Sequence, residues 1–472
     1  MSAPRLRVLE VRRYEREVRL RMPFRFGVVT LTEAREAYVR LRVEVEGRGE
    51  AEGVAAELLA PKWFDKNLAL TNEENAEQLR QSLRVAAEGY LADREPRTAF
   101  GLFAAHHGPQ VERCRALGLN SLIANYGPAL LDRAVLDALC RACGVSFYEA
   151  VRSNLPGIDA RLAPDLAGFD LPRFLAGLAP AARLHVRHTV GLADPITAAD
   201  LPAGGRVGDG LPETLEEVVA AYGHTYFKLK VSGEVVRDVD RLAAIAAVLD
   251  RSPRPYHVTL DGNEQYADAD GVLALWHAMA AAPRLARLAD SILFVEQPVA
   301  RGAALASPIH ALARVRPVII DESDADLDAF VRARSLGYRG VSSKTCKGVY
   351  RSLLNATRAA RWNLEEPGAG YFMSGEDLTT QAGVSVQQDL ALVALLGLGH
   401  VERNGHHYVN GMAGRPRAEQ AAFLAAHPDL YRDRGGVVGL RIDGGEVAVG
   451  SLGRTGFAVG AEPEWPAMRE MA

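Results

Sequence analysis

Between residues 184 and 405 the hydrophobic period switches repeatedly between that of a strand and that of a helix. LHVRHTVGL (184–192) reads as a first strand, followed by a Gly/Pro-rich loop over 194–212. TYFKLKV (225–231) leads to a helix over 235–250, and YHVTLDGN (256–263) to one over 269–287. SILFVEQPV (291–299) leads to 303–314, RPVIIDES (316–323) to 326–335, RGVSSKTC (339–346) to 349–361, and GYFMSGE (370–376) to 380–396. HVERNG (400–405) closes the series. Strands joined through helices run parallel in one sheet. Seven or eight such units in a row point to an α/β fold closed into a (β/α) barrel rather than left as an open sheet.

The flanks read differently. Residues 6–53 alternate apolar and polar side chains as strands do, with glycines at 47–53 supplying turns, and 72–118 reads as helix with Asn72 as cap. A chain of 472 residues is long for one core. We therefore expect an α+β domain over 1–127 and the barrel over 128–435, opened by a helix over 128–150. The tail 436–472 holds a hairpin around Asp443-Gly444-Gly445 and is expected to return to the first domain. A net charge of −4 gives no reason to expect nucleic acid or an anionic membrane as partner. No apolar run is long enough to span a bilayer or to serve as a signal peptide. Cys140 and Cys143 form a CxxC inside an amphipathic helical pattern, without the second ligand pair a zinc or redox site needs. A reduced, cytoplasmic protein is expected.

In a barrel of this kind the chemistry sits at the carboxyl ends of the strands. The second strand ends Lys228-Leu229-Lys230, and alternation turns both lysines to the interior. Their repulsion and burial would lower their pKa and make a base. The third strand ends in Asp261, the fourth in Glu296, and the fifth in Asp321 and Glu322. Three acids on consecutive strand ends would repel unless they converged on a cation such as Mg²⁺. The sixth strand ends in Lys344, opposite the second across a barrel, so that one base stands on each face of a bound substrate. Only six of the 55 basic residues are lysine, and these three are among them. Arginine cannot give up its proton, which makes the position of each remaining lysine informative.

Lys228-x-Lys230, Asp261, Glu296, Asp321 and Lys344, set in the words FKLKV, LDGNEQY, FVEQPV and IIDES, resemble the enolase superfamily. The likeness is to the muconate-lactonizing branch of the mandelate racemase/muconate lactonizing enzyme family, and it runs along nearly the whole chain. It implies a modified (β/α)7β barrel under an N-terminal α+β capping domain. Mg²⁺ would be held by Asp261, Glu296 and Asp321, with Glu322 the alternative third ligand, since alternation lets only one of the pair point inward. The substrate would be a carboxylate whose α-proton is removed to give an enediolate. Lys230 and Lys344 would be the bases, and Lys228 would tune Lys230 and bind the carboxylate. Glu402 would be an acid at the eighth strand, and Asn263 would face the substrate or stand directly behind the groups that do. The cap would choose the substrate through two loops, 23–30 with Phe24 and 58–67 with Lys62, Trp63, Phe64 and Lys66. The family also suggests a homo-oligomer.

Some features depart from the pattern. GYFMSGED offers Ser374 where the mandelate racemase branch has a histidine, which disfavours the His–Asp dehydratase chemistry of that branch. Lys347 falls at the start of the next helix and reads as peripheral. The segments 151–183 and 194–212 are long, as extra lid or interface elements would be. His185 and His188 on the first strand read as structural rather than as ligands. Racemisation or epimerisation, cycloisomerisation and β-elimination all remain open. A sugar-acid or hydroxy-acid dehydratase is the alternative enzyme, and a catalytically retired scaffold the alternative outside enzymes.

Overall fold

A computed structural model describes residues 3–27 and 29–471. Met1, Ser2 and Ala472 at the expected domain ends, and Val28 in the loop 23–30, lie outside the described residues. Three antiparallel strands open the chain: β1 (Leu6–Phe26), β2 (Val29–Val45) and β3 (Gly49–Leu58). Their buried alternate side chains pack on three helices, α1 (Asn72–Ala92), α2 (Ala99–Ala116) and α3 (Ser121–Cys143). The expected single helical stretch over 72–118 is thus two helices, each started by a threonine, Thr71 and Thr98, whose side chain accepts from a first-turn N–H. α3 begins before the expected residue 128 and ends at Gly144, whose left-handed backbone (φ 68°) breaks the expected helix 128–150 in two.

Eight parallel strands follow: β4 (Arg183–Val190), β5 (Tyr226–Lys230), β6 (His257–Asp261), β7 (Ile292–Glu296), β8 (Val318–Ile320), β9 (Gly340–Ser343), β10 (Phe372–Gly375) and β11 (His400–Arg403). Each pairs with the next, and β11 pairs back to β4 with His400 opposite His185, which closes the barrel. The expected alternation is present, with its helices on the outside. The barrel strands are buried on both faces over most of their length, so β5, β6, β7 and β8 read as apolar runs with polar residues gathered toward their ends.

The expected tight turn at Asp443-Gly444-Gly445 is present: Asp443 and Glu446 exchange backbone hydrogen bonds of 3.0 and 3.2 Å across the two glycines. The strand that leaves it, β14 (Glu446–Ala448), pairs antiparallel with the start of β4. A second hairpin, unforeseen, lies earlier between β12 (Tyr431–Arg434) and β13 (Val437–Leu440), turned by Gly435 and Gly436. The last strand, β15 (Arg469–Glu470), pairs with β1. The long segment 194–212 reaches the first domain through Asp209, which receives Arg21 at 2.6 and 2.7 Å. The segment 151–183 packs on the barrel helix Val349–Glu365, where Arg358 grips Asp165 at 2.8 and 2.9 Å. Among the described residues no helix is long and apolar enough to cross a membrane. All four cysteines are free, and the CxxC stays within α3 as packing.

Candidate active site

The strand ends bring the sequence-chosen residues together. Lys228 and Lys230 both point inward from β5 and are buried. The Lys228 ammonium sits at the hub of four carboxylates. Its Nζ lies 2.9 Å from Asp261, 2.8 and 2.9 Å from the two oxygens of Glu296, and 2.9 Å from both Glu376 and Glu402. Lys230 reaches Asp261 Oδ2 at 2.6 Å. Across the barrel, Lys344 follows β9 and donates to Asp321 Oδ2 at 2.6 Å. Its Nζ stands 4.4 Å from the centre of the Trp63 ring on the cap loop. A buried ammonium against an indole face gains about 2 kcal/mol from that contact.

A cavity opens above these groups. Lys228, Lys230, Asp261, Asn263, Lys344 and Glu402 form its floor and wall. Phe24, Phe26, Leu31, Leu58 and Trp63 of the first domain form its apolar roof. Phe24 is fixed by stacking on Tyr408, with ring centres 4.2 Å apart. Asn263, Glu264, Gln297 and Thr379 hold positive φ just past the strand ends, a costly backbone of the kind that clusters at functional sites.

The second cap loop is locked to the barrel. Arg301 donates to the carbonyls of Trp63 and Phe64 at 2.8 and 3.0 Å and also grips Glu264. Lys66 donates to Asn263 O at 2.8 Å, meets Glu264 at 2.5 Å, and stands 3.7 Å from Glu322. Glu322 therefore faces the cap loop, while Asp321 faces the lysines. Both residues lie just past the end of β8, and their side chains point to different neighbours. Neither oxygen of Glu322 accepts a hydrogen bond, and burial pushes its carboxyl above the usual range.

Four expectations need correction. Lys62 does not reach the cavity; its Nζ turns into its own loop and donates to the carbonyls of Asn67 and Leu70. Lys347 is not peripheral. It is buried and donates to Ser342 Oγ at 2.7 Å, with Asp324 at 3.0 Å and Asp321 at 3.6 Å. Neither Lys228 nor Lys344 has its pKa lowered. Burial pulls Lys228 down, but Asp261, Glu296, Glu376 and Glu402 carry it well above its ordinary value. Lys344 is likewise pulled down by burial and lifted higher by Asp321. Finally, the oxygens of Asp261, Glu296 and Asp321 do not gather within 4.8 Å of one another, because ammonium groups stand between them.

The donor set nevertheless fits a hard divalent cation. The three acids end consecutive strands, and Asp261 stands in register with Glu296. Glu296 is fully buried, and both its oxygens lie against the Lys228 ammonium. Burial and the neighbouring Asp261 and Glu376 push the Glu296 carboxyl well up, which marks a site rich in negative charge.

Two residues were missed at the sequence level. Glu376 ends β10 in GYFMSGE just as the chosen acids end their strands, so the same rule could have found it. Arg187 on β4 points inward and donates to Ser374 at 3.0 Å and to Glu376. Ser374 thus serves an ion-pair network at the position where a histidine would stand in the other branch.

Residues 210–420 match the family model of the enolase C-terminal domain-like proteins. A search of curated proteins gave no match. Solved structures of the same fold include a muconate lactonizing enzyme from Pseudomonas fluorescens complexed with muconolactone, at 17% identity, 98% coverage of both chains and TM-score 0.60. A 2-chloromuconate cycloisomerase from Rhodococcus opacus 1CP shares 17% identity over 97% of both chains, TM-score 0.60. An enolase from Bradyrhizobium complexed with magnesium and mandelic acid shares 14% over 100% of both chains, TM-score 0.61.

Proposed function

From the match of residues 210–420 to the enolase C-terminal domain-like family model, we propose that the chain is a member of the mandelate racemase/muconate lactonizing enzyme family, an isomerase or lyase that removes the α-proton of a small carboxylate. The observation that carries this reading is the opposition of Lys230 and Lys344 across one cavity, each on its own aspartate. A substrate lying between them presents its α-carbon to a base on either face. One Nζ takes the proton, and the other returns it or steadies the charge that develops. Lys228, held protonated by its carboxylates, is the fixed positive charge for the substrate carboxylate and the enediolate. Asp261, Glu296 and Asp321 would hold Mg²⁺, which when bound supplies charge stabilisation to the substrate carboxylate. Lys66 and Arg301 keep the cap loop down and water out.

The roof of Phe24, Phe26, Leu31 and Trp63 favours a substrate with an apolar or planar part beside its carboxylate. The solved relatives above were crystallised with muconolactone and with mandelic acid, both of that description. Racemisation or cycloisomerisation suits two opposed bases better than dehydration by a His–Asp pair, since Ser374 is engaged with Arg187 and Glu376. The first domain, with the tail that β15 adds to it, serves as the cap, and the reading carries with it a cytoplasmic homo-oligomer. The test is incubation with Mg²⁺ and a carboxylate library in D₂O, followed by mass spectrometry. Deuterium enters the α-carbon of the true substrate class, and entry is lost in Lys230→Met and Lys344→Met. Undiminished exchange in both variants would overturn the two-base scheme.

A further inference from the structure

Behind the cavity wall lies a second constellation that the proposed reaction does not use. Arg187 and Thr189 of β4 face the barrel interior, so His188 between them faces outward, beneath the surrounding helices. His224 stands between the helix Leu215–Tyr222 and β5, and His406 lies in the single turn Gly405–Tyr408 after β11. All three are buried. Their ring centres form a nearly equilateral triangle with sides of 5.3, 5.4 and 5.5 Å. One nitrogen from each lies within 4.8 Å of the others.

The geometry is that of three ligands around a point. Zinc–nitrogen bonds of about 2.0–2.1 Å in a tetrahedron leave ligand nitrogens about 3.4 Å apart. His188 Nδ1 and His406 Nε2 are 3.4 Å apart. The third ring is oriented from behind: His224 Nδ1 lies 3.1 Å from the carbonyl of Val186 and donates to it, which leaves the Nε2 lone pair free. That Nε2 is buried and has no hydrogen-bond partner, which a bare packing role leaves uncompensated. We propose that His188, His224 and His406 form a structural binding site for a zinc-type transition-metal ion, separate from the carboxylate site.

Imidazole nitrogens suit such an ion and not Mg²⁺, so the two sites select different metals. Burial keeps all three rings neutral at neutral pH, with His224 pulled down to about 4, so their lone pairs need no deprotonation to bind. His407 packs 4.9 Å from His188, ring centre to ring centre, and its Nδ1 also lacks a partner, which makes it the nearest residue to a fourth position. The site spans the seam where β11 pairs with β4, and its last ligand is two residues from Tyr408, on which Phe24 of the cavity roof stacks. An ion there staples the barrel closed beneath the cap. It also gives His188 a ligand role that the sequence reading denied it.

The test uses the full chain, stripped with chelator and kept in excess Mg²⁺ so that the carboxylate site does not compete. Co²⁺ is titrated in and followed by visible absorption, then Zn²⁺. We expect one equivalent of Co²⁺ with the strong d–d bands of a tetrahedral nitrogen site, displacement by Zn²⁺, and a higher melting temperature with either ion. His224→Gln loses the bands, and His107→Gln, in α2 away from the cluster, keeps them. A wild-type chain that shows no stoichiometric tetrahedral Co²⁺ overturns the proposal without recourse to any variant. So do bands that persist at full intensity in both His224→Gln and His406→Gln.

Discussion

Lysine at positions 230 and 344 is a statement about protons. In a chain that otherwise uses arginine for nearly every positive charge, both sites retain the one cation that can become an amine. Lys230→Arg and Lys344→Arg should therefore keep the charge beside Asp261 and Asp321 but lower turnover about 10²–10⁴-fold, the usual worth of a positioned general base. Steady-state kinetics on the substrate found by exchange checks this, and near-normal turnover in the arginine variants would show that only charge is needed. A different residue makes a pH prediction away from the site. Asp132 of α3 is buried, accepts from the Tyr90 hydroxyl at 2.6 Å, and is pushed by burial up to about 8. The folded chain holds this proton to about pH 8, whereas the unfolded chain releases it near pH 4. Above pH 4 the unfolded state thus binds fewer protons, and stability declines as pH rises between those values. Asp132→Asn removes that dependence while keeping an acceptor for Tyr90. We expect a gain of about 1–3 kcal/mol at pH 8 that shrinks toward zero at pH 4, read from thermal melts at both. An equal gain at both pH values would mean that burial of the charge is not its source.

Elements were legible where a local rule decided them. Most barrel strands are short apolar runs stopped by an acid or a lysine, so existence, order and inward residues could be read from a few letters at a time. Lys228 and Lys230 followed from alternation, Asp261, Glu296, Asp321 and Lys344 from their place at strand ends, and the preference for Asp321 over Glu322 from the family resemblance. Features set by distant partners were not legible. Lys62 turns away because carbonyls of its own loop take its ammonium, and β14 is three residues long and finds its partner more than 250 positions earlier. Lys347 is drawn inward by Asp324 and Ser342, which only the folded barrel brings near. Gly53 is an instructive case. It was counted among turn glycines, yet it lies inside β3, where the strand presses on α3. A Cβ there would stand 2.0 Å from the carbonyl oxygen of Ala134 and 2.5 Å from the amide of Ala138. Both are helix backbone and cannot swing aside. Gly53→Ala should cost about 3 kcal/mol as the sheet is forced off the helix. Gly49→Ala, which meets nothing within 4 Å but has a φ of 84°, should cost about 1 kcal/mol. Equal losses in chemical denaturation would show that conformation rather than close approach governs Gly53.

At the scale of the molecule, the question is whether cap and barrel unfold separately. One apolar core runs from Leu6, Val39 and Leu58 of the first sheet, through α3, to Val386, Leu392 and Val401 of the barrel. A buried ionic joint crosses the same boundary. Glu36 of β2 accepts from Ser385 at 2.8 Å and Arg415 at 3.1 Å. Glu419, which receives Arg16 of β1 at 2.7 Å through both oxygens, lies 3.5 Å from Arg415. Removing one partner of such a buried network leaves charge without compensation and costs about 3–5 kcal/mol. Arg415→Met strands Glu36 and weakens the hold on Glu419 while preserving much of the side chain's volume. If the shared core couples the domains, calorimetry of this variant shows a single transition at a lower temperature. It should also show a raised KM, because β1 and β2 carry Phe24, Phe26 and Leu31 of the cavity roof. Two separated transitions would mean that the joint, and not the core, makes one cooperative unit of cap and barrel. The cap's hold on the cavity would then rest on a few buried charges far from Lys230 and Lys344.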